Sequence, residues 1–337
     1  MRALYTFDIA KHVPLHGAIT FAHLARATAV DEPRLTRIVR YLTLNHVLTE
    51  PEPGTVAHSA ISKFLLANDG VGIDFVGHIL EEVVPSAISQ TDCLQNPRFD
   101  VPPELDCGLA VALGGSKSSF FDVVSQHPET TKRFARAMKY FSSPGGYNSH
   151  ERVLTDFDWA GLGRAEVVDI GGSLGHVAVD LLKYAPNLQK VTVQDLPDVI
   201  KEVHASPLSQ AEEVRDRLEF QEYNFFNPQP MHDADIYLFR HVLHDWSDAK
   251  AGEIVRNTVP SMKSGSRLIV SEYILYPAGE DDPSSAKMAR VADLQMMVLL
   301  NAKERSLGDW KGLLDCASGG MLVFEQAKGP VMVFRKK

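Results

Sequence analysis

The chain has 337 residues, 45% of them apolar and 23% charged, with a formal net charge of −9. That length allows two domains and a large core, while the acidic balance argues against a general nucleic-acid binder and against docking on an anionic membrane surface. No apolar run approaches the ~18 residues of a membrane span, and the start, Met1 to Asp8, lacks the apolar core of a secretory signal.

Residues 1–65 read as short helices followed by a small β-wing. Phe21 to Ala27 is amphipathic. Asp31 precedes a second helix, Glu32 to Leu44, with Leu35, Ile38, Val39 and Leu42 on one face and Arg34, Arg37 and Arg40 on the other. Glu50 to Gly54 is a turn and Thr55 to His58 a returning wing strand. Such a winged helix-turn-helix could put an arginine-bearing helix into a DNA groove. Here Asp31, Glu32, Glu50 and Glu52 offset the arginines, so a folding and subunit-contact module is the expectation. Residues 66–150 read as mainly helical, broken at 95–103 and at Gly114-Gly115-Ser116. The helix around Thr130 to Phe141 carries Phe134, Met138 and Phe141 on one side, a stripe that is usually core, and Ser142 to Gly146 ends it. Cys93, Cys107 and Cys316 lie far apart, with neither a metal-ligand spacing nor a disulfide framework, so a reducing, cytoplasmic setting is expected.

From Glu166 strands and helices alternate. Strands are predicted at 166–171, 190–195, 218–224, 235–241 and 267–274, with a helix at 284–301 and a closing hairpin from Met321 to Arg335 around Gly329-Pro330. Alternation implies an α/β fold, a doubly wound, mostly parallel Rossmann-like sheet with an antiparallel edge, behind an N-terminal helical winged-helix domain. Ligands then sit beyond the carboxyl ends of the strands. The first strand meets the turn Gly171-Gly172-Ser173-Leu174-Gly175, which opens into a helix. Glycines there let the backbone bend and approach a ligand, and the helix offers unpaired N–H groups. The pattern is not Gly-x-Gly-x-x-Gly. Asp169, at the strand end, would repel a pyrophosphate but suit a cationic amino-acid cofactor. Asp195 ends the next strand, about 20 residues on, the usual place for a carboxylate that grips ribose hydroxyls. Read plainly, the same residues make an ordinary strand-to-helix turn.

The fourth strand leads into Arg240-His241-Val242-Leu243-His244-Asp245-Trp246-Ser247-Asp248. His244 thus falls past a strand's carboxyl end, on the cofactor side, where an imidazole can take a proton near neutral pH. Alternatively, Asp245, Ser247 and Asp248 only cap the next helix and His244 is a loop residue. Glu272 ends the fifth strand; a carboxylate bonded to one imidazole nitrogen fixes its tautomer and raises its basicity.

These stretches resemble the S-adenosylmethionine-dependent O-methyltransferases of the caffeic-acid type, including related fungal natural-product enzymes. The matching segments are Val168 to Gly175, Gln194-Asp195-Leu196-Pro197, Leu243 to Asp248, Ser271 to Leu275, and Asp293 to Met297 leading to Lys303-Glu304-Arg305-Ser306, with the winged-helix start. They follow the family's order and spacing over nearly the whole chain.

The resemblance implies S-adenosylmethionine as cofactor and a small hydroxylated natural product, aromatic or polyketide-like, as methyl acceptor. It places Asp169 with Gly171, Gly172 and Gly175 at the methionine end of the cofactor and Asp195 with Leu196 at the ribose. Asn224 and Phe225 stand where the family has an Asp-Met pair near the adenine, and Arg240 where it often has lysine. His244 would be the general base, flanked and oriented by Glu272 and Glu304. Met138, Phe141, Asp245, Met297 and Asn301 would line the acceptor pocket. No metal is implied. Ser173 and Leu174 replace a glycine and a threonine of the family's turn, and the chain begins without the family's longer N-terminal arm. Three regions are expected: a dimerisation module at 1–65, a helical linker and substrate lid at 66–150, and the cofactor-binding domain at 151–337, in a homodimer without nucleic-acid or membrane partners. Two rivals share the residues. One is a methyltransferase-like enzyme using the bound cofactor for a non-methylating dehydration or pericyclic step. The other is a DNA-binding regulator built on the winged helix.

Overall fold

A computed structural model describes residues 1–98, 101–113, 119–141, 149–203, 213–277, 279 and 283–337. The breaks expected at Gly114-Gly115-Ser116 and Ser142 to Gly146, and Phe99 and Asp100 of the expected loop, lie outside the described residues. The chain divides into two units, Met1–Val101 with Leu105–Gly146 and Pro102–Glu104 with Tyr147–Lys337. Among the described residues no helix is long and apolar enough to cross a membrane.

In the first unit, Thr20 caps the helix Phe21–Thr28 by accepting from the His23 N–H, and Ala29 closes it in the left-handed region. Asp31 caps Glu32–Leu44, with a proline in the first turn. Phe21, Leu24, Leu35, Val39 and Leu42 bury the faces between them. The wing is three-stranded: β1 (Ala18–Thr20) pairs with β3 (Thr55–His58), which pairs with β2 (Leu48–Thr49). Three residues carry too short a pattern for β1 to be read from sequence. Arg40 is chelated by Glu50, both bonds at 3.1 Å, which spends one of the helix's three arginines inside the module. The helix Ala60–His78 runs through the boundary expected at 65/66, held at its start by a Ser59–Ser62 capping box. On the helix Pro128–Phe141, Phe134, Met138 and Phe141 are half-buried rather than core; Ala137 is the buried position.

The second unit is a seven-stranded sheet in the order β6-β5-β4-β7-β8-β10-β9. Its strands are β4 (Glu166–Ile170), β5 (Lys190–Asp195), β6 (Leu218–Glu222), β7 (Ile236–Arg240), β8 (Arg267–Ser271), β9 (Leu322–Lys328) and β10 (Val331–Lys336). β4 to β8 pair in parallel, and the β9–β10 hairpin joins β8 antiparallel. Parallel strands are covered on both faces, so Ile236 to Phe239 are all apolar and have no exposed surface. The strand order reverses between β4 and β7, which opens a crevice beyond their carboxyl ends. β7 stops at Arg240, short of the predicted 241, because His241 turns into the left-handed region at φ 51°; β8 stops at Ser271, short of the predicted 274.

One helix, Leu307–Ser318, has no counterpart in the sequence reading. Its signals are a Ser306–Asp309 capping box and Gly319 in the left-handed region at its end. Ser306→Ala should lower the unfolding free energy by about 1 kcal/mol, the usual worth of an N-cap, as read by urea denaturation.

Candidate active site

Asp169 leads β4 into the glycine turn. Gly171, Ser173 and Gly175 all have positive φ (74°, 53° and 79°). The Gly171 and Gly172 amides donate to the Gln194 carbonyl at 2.8 and 3.3 Å, lashing the turn to β5. A Cβ on Gly172 would lie 2.5 Å from Asp169 Oδ2, and one on Gly175 would lie 2.7 Å from Phe220. The turn is therefore glycine-rich partly to pack against its own neighbours. Asp195 accepts from the Ser173 amide through Oδ2 and from the Leu196 amide through Oδ1, both at 2.8 Å. Leu196 itself is exposed.

Asp169 is the anomaly of this turn. It is buried, and its Oδ2 has no hydrogen-bond partner among the described residues. Burial pushes its pKa up to about 7 against the pull of Arg240, with Asp195 adding to the rise. Arg240, at the end of β7, is drawn down to about 10 by burial, opposed by Asp169, Glu272 and Tyr273. A buried acid with an unmet oxygen beside a glycine turn is a receptor for a cationic hydrogen-bond donor. That fits the ammonium end of an amino-acid cofactor and not a pyrophosphate. Asn224 is exposed and its Oδ1 accepts from the Phe226 amide at 3.0 Å. Phe225 stands edge-on to Phe226 and Trp246, with centroids 5.1 and 5.8 Å away.

The second half of the site is the 3-10 turn Leu243–Asp245. His244 is buried, and its Nδ1 lies 2.7 Å from Glu304 Oε1. Glu272 and Glu304, both expected to flank and orient the ring, stand at different distances from it. Glu272 Oε2 is 3.6 Å from His244 Nδ1, while its Oε1 accepts from the Val242 and Leu243 amides at 3.0 Å each. Glu304 instead bonds the ring, and its own amide donates to Asp293 Oδ1 at 3.0 Å. Burial alone would push the His244 pKa down; the carboxylates of Glu304, Glu272 and Asp245 outweigh it and raise it well above the ordinary imidazole value. Burial works the other way on Glu272, but His244, His241 and the Val242 amide hold it at about 2. Asp245, 3.5 Å from His244 Nε2, is lifted to about 7 by burial.

His241 escaped the sequence reading. Its ring is half-buried beside His244 and Tyr273, and desolvation with nearby Arg240 drops its pKa to about 4, so it is neutral. Its positive φ is invisible to pattern reading, because a histidine does not announce one. One ligand atom each from His241, His244 and Glu272 lies within 4.8 Å of the others. The chain spacing showed no such donor set, since its members come from two strand ends.

Residues 106–319 match the model of the O-methyltransferase domain family. The chain is 36% identical to the O-methyltransferase AMT9 of Alternaria alternata, over 94% of this chain and 73% of that protein. It is 35% identical to the O-methyltransferase VdtC of Byssochlamys spectabilis, over 96% and 74%. The solved mitomycin 7-O-methyltransferase MmcR superposes with a TM-score of 0.81 at 26% identity, covering all of this chain and 94% of that one. The chain belongs to the O-methyltransferase family. It is an S-adenosylmethionine-dependent O-methyltransferase.

For a methyltransferase, the remaining expected residues fall in two places. Met297 is half-buried near the end of the helix Pro283–Leu300. Asn301 follows in the left-handed region, and its Nδ2 donates to the Pro103 carbonyl at 2.7 Å, so its amide is already engaged with backbone. Met138 and Phe141 belong to the first unit, where Phe141 meets Phe75 edge-on at 4.8 Å.

Asp169 carries a stability prediction. Its folded-state pKa exceeds its unfolded one, so its burial costs nothing below about pH 4 and destabilises increasingly as pH rises through about 7. Asp169→Asn should therefore raise the unfolding free energy of the cofactor-free enzyme by about 1–3 kcal/mol near pH 8, with the gain vanishing near pH 4. The same variant, in calorimetry, should lose most of its affinity for S-adenosylmethionine. Equal affinity would remove Asp169 from the cofactor site.

Proposed function

We propose that this enzyme transfers a methyl group to a hydroxyl of a small aromatic or polyketide-like natural product, with His244 taking the hydroxyl proton. The observation that carries the reading is the 2.7 Å bond between buried His244 Nδ1 and Glu304, one strand away from the turn that holds the unmet Asp169. The cofactor, when bound, supplies a methyl group already activated on a sulfonium. The protein then has to align the acceptor and receive one proton.

Glu304 as acceptor puts the His244 proton on Nδ1, which leaves Nε2 as the basic nitrogen. Asp245 stands 3.5 Å from that nitrogen and is placed to orient an acceptor hydroxyl there. Glu272 fixes the turn through two backbone amides and supplies a permanent negative charge that favours the imidazolium formed on proton transfer. The carboxylates hold the free enzyme's imidazole protonated at neutral pH, and positive charge entering the crevice opposes that. Roles of Asp195 and Leu196 at the ribose, of Asn224 and Phe225 at the adenine, and of Met297 and Asn301 around the acceptor complete the reading.

The raised His244 pKa sets the sign of the pH dependence. The neutral base is lost as pH falls through that value, so the acid limb of kcat/KM should lie above the ordinary imidazole pKa of ~6.5. His244→Ala should abolish that limb and cut kcat about a hundredfold or more, with cofactor affinity little changed. Glu304→Gln keeps an acceptor for Nδ1–H but removes the charge, so it should lower kcat and move the limb to lower pH; its effect should not add to that of His244→Ala. Labelled cofactor with a panel of phenols, read by product mass, tests the reaction itself. A product that gains no methyl group would point to a non-methylating step instead.

We also propose a homodimer formed through the first unit. Its helices expose Tyr41, Leu44, Phe64, Ile88 and Leu94, with Leu44 at 79% and Ile88 at 71% exposure, more bare apolar surface than a lone module comfortably shows. Sedimentation should find a dimer at micromolar concentration. A monomer there would overturn this assembly.

A further inference from the structure

The turn that carries His244 is three residues long, and a single 3-10 turn cannot hold its own shape in water. Its geometry depends on what binds its ends. On the amide side Glu272 Oε1 takes two N–H groups, those of Val242 and Leu243. On the carbonyl side stands a guanidinium. Arg305 Nη1 donates to the Leu243 carbonyl at 3.1 Å and Nη2 to the Trp246 carbonyl at 2.8 Å, while Nε donates to Asp248 Oδ1 at 2.9 Å. The two carbonyls belong to the residues on either side of His244-Asp245. The Arg305 side chain has no exposed surface, and it lies over the face of Trp310 at 4.8 Å. Its main chain is fixed as well: Leu275 N donates to its carbonyl at 3.0 Å, and Ile274 bridges to it.

We propose that Arg305 is a positioning residue for the base: its side chain grips the turn that carries His244 while its main chain, one peptide away, carries Glu304. Imidazole and orienting carboxylate are thereby locked to each other through one residue. A guanidinium suits the task because its fork presents several donors in one plane, and three separate acceptors are met here; an ammonium is a point charge that cannot span them together. Asp248, also bonded by Lys303 at 2.7 Å, fixes the far side of the fork.

The inference rests on His244 as the base, so its test reads the ring as well as turnover. Ring-labelled histidine would be followed by NMR across pH in the wild type, Arg305→Lys and Asp248→Asn, with the His244 signal assigned by its loss in His244→Asn. Groups facing that ring are Glu304, Glu272, Asp245 and His241, and none of them is changed. In Arg305→Lys the charge is kept but the fork is lost. The His244 pKa should fall by about half a unit or more as the ring slips from Glu304, and kcat should drop about tenfold with the KM for S-adenosylmethionine within about twofold. Asp248→Asn should shift both in the same direction by less, and it carries the test should the lysine variant fail to fold. A His244 titration and a kcat unmoved in the folded variants overturn the proposal. If His244→Asn still methylates at the wild-type rate, the base reading fails, and the NMR titration alone still decides whether Arg305 positions the ring.

Discussion

The carboxyl end of the sheet buries more negative charge than positive, and much of the site follows from that imbalance. Asp169, Asp195, Asp245, Glu272 and Glu304 converge on a region whose cations include Arg240, Arg305 and the His244 imidazolium, while His241 is kept neutral. Only Glu272 is held firmly ionised, since it accepts two amides and flanks two imidazoles. Asp169 and Asp245 are driven to about 7. Isolated buried charge is costly, and groups in this position take up protons until a partner arrives. Such a crevice suits a cation, and on the proposed reading a sulfonium cofactor with an ammonium group meets that need.

The sheet makes the imbalance tolerable. β4 and β7 lie side by side although far apart in sequence, so their ends bring Asp169 and Arg240 to the same crevice. β8 on the other side of β7 brings Glu272 to His241 and His244. Beneath these ends the strands are fully buried and apolar, with large clusters on both faces. Burial there supplies the rigidity on which strained positions such as His241 and an unmet carboxylate can persist. The site occupies strand exits because only there does side-chain chemistry meet both a rigid base and an open crevice.

Much of this was legible in the chain. Period, glycine turn and alternation specified the parallel sheet and its order of elements, since local apolar pattern is what decides them. His244 and Asp169 were marked by their place at strand ends and by family resemblance, and Glu304 by the resemblance alone. The division of labour between Glu272 and Glu304 was not legible. Both carboxylates come close to one ring nitrogen, and nothing in spacing tells that Glu272 will turn an oxygen to two backbone amides. Asp195 was read for ribose, yet one of its oxygens braces the glycine turn and the other accepts from the Leu196 amide. His241, β1 and the helix Leu307–Ser318 were missed for separate reasons: a backbone angle without a residue signature, a strand too short for a period, and a helix whose capping signals followed a motif already read for other purposes.

What separates the two glutamates is the state of their protons. Glu272 accepts two amides through one oxygen and its pKa is pressed to about 2, so it acts as a fixed charge and gains little from sharing a proton with an imidazole. Glu304 is buried with fewer donors; burial pushes its pKa up against the pull of His244, which brings its proton affinity closer to that of the ring. A carboxylate in that condition makes the stronger, shorter bond to a charged donor, and the structure has 2.7 Å at Glu304 against 3.6 Å at Glu272. The imidazole is bonded by the acid that accepts no backbone amide through its ring-facing oxygen, and the acid with one oxygen given to two amides builds the turn. Backbone amides thus hold Glu272 by one oxygen at the turn and leave Glu304 to meet the imidazole, and that division is settled by the fold before any ligand enters.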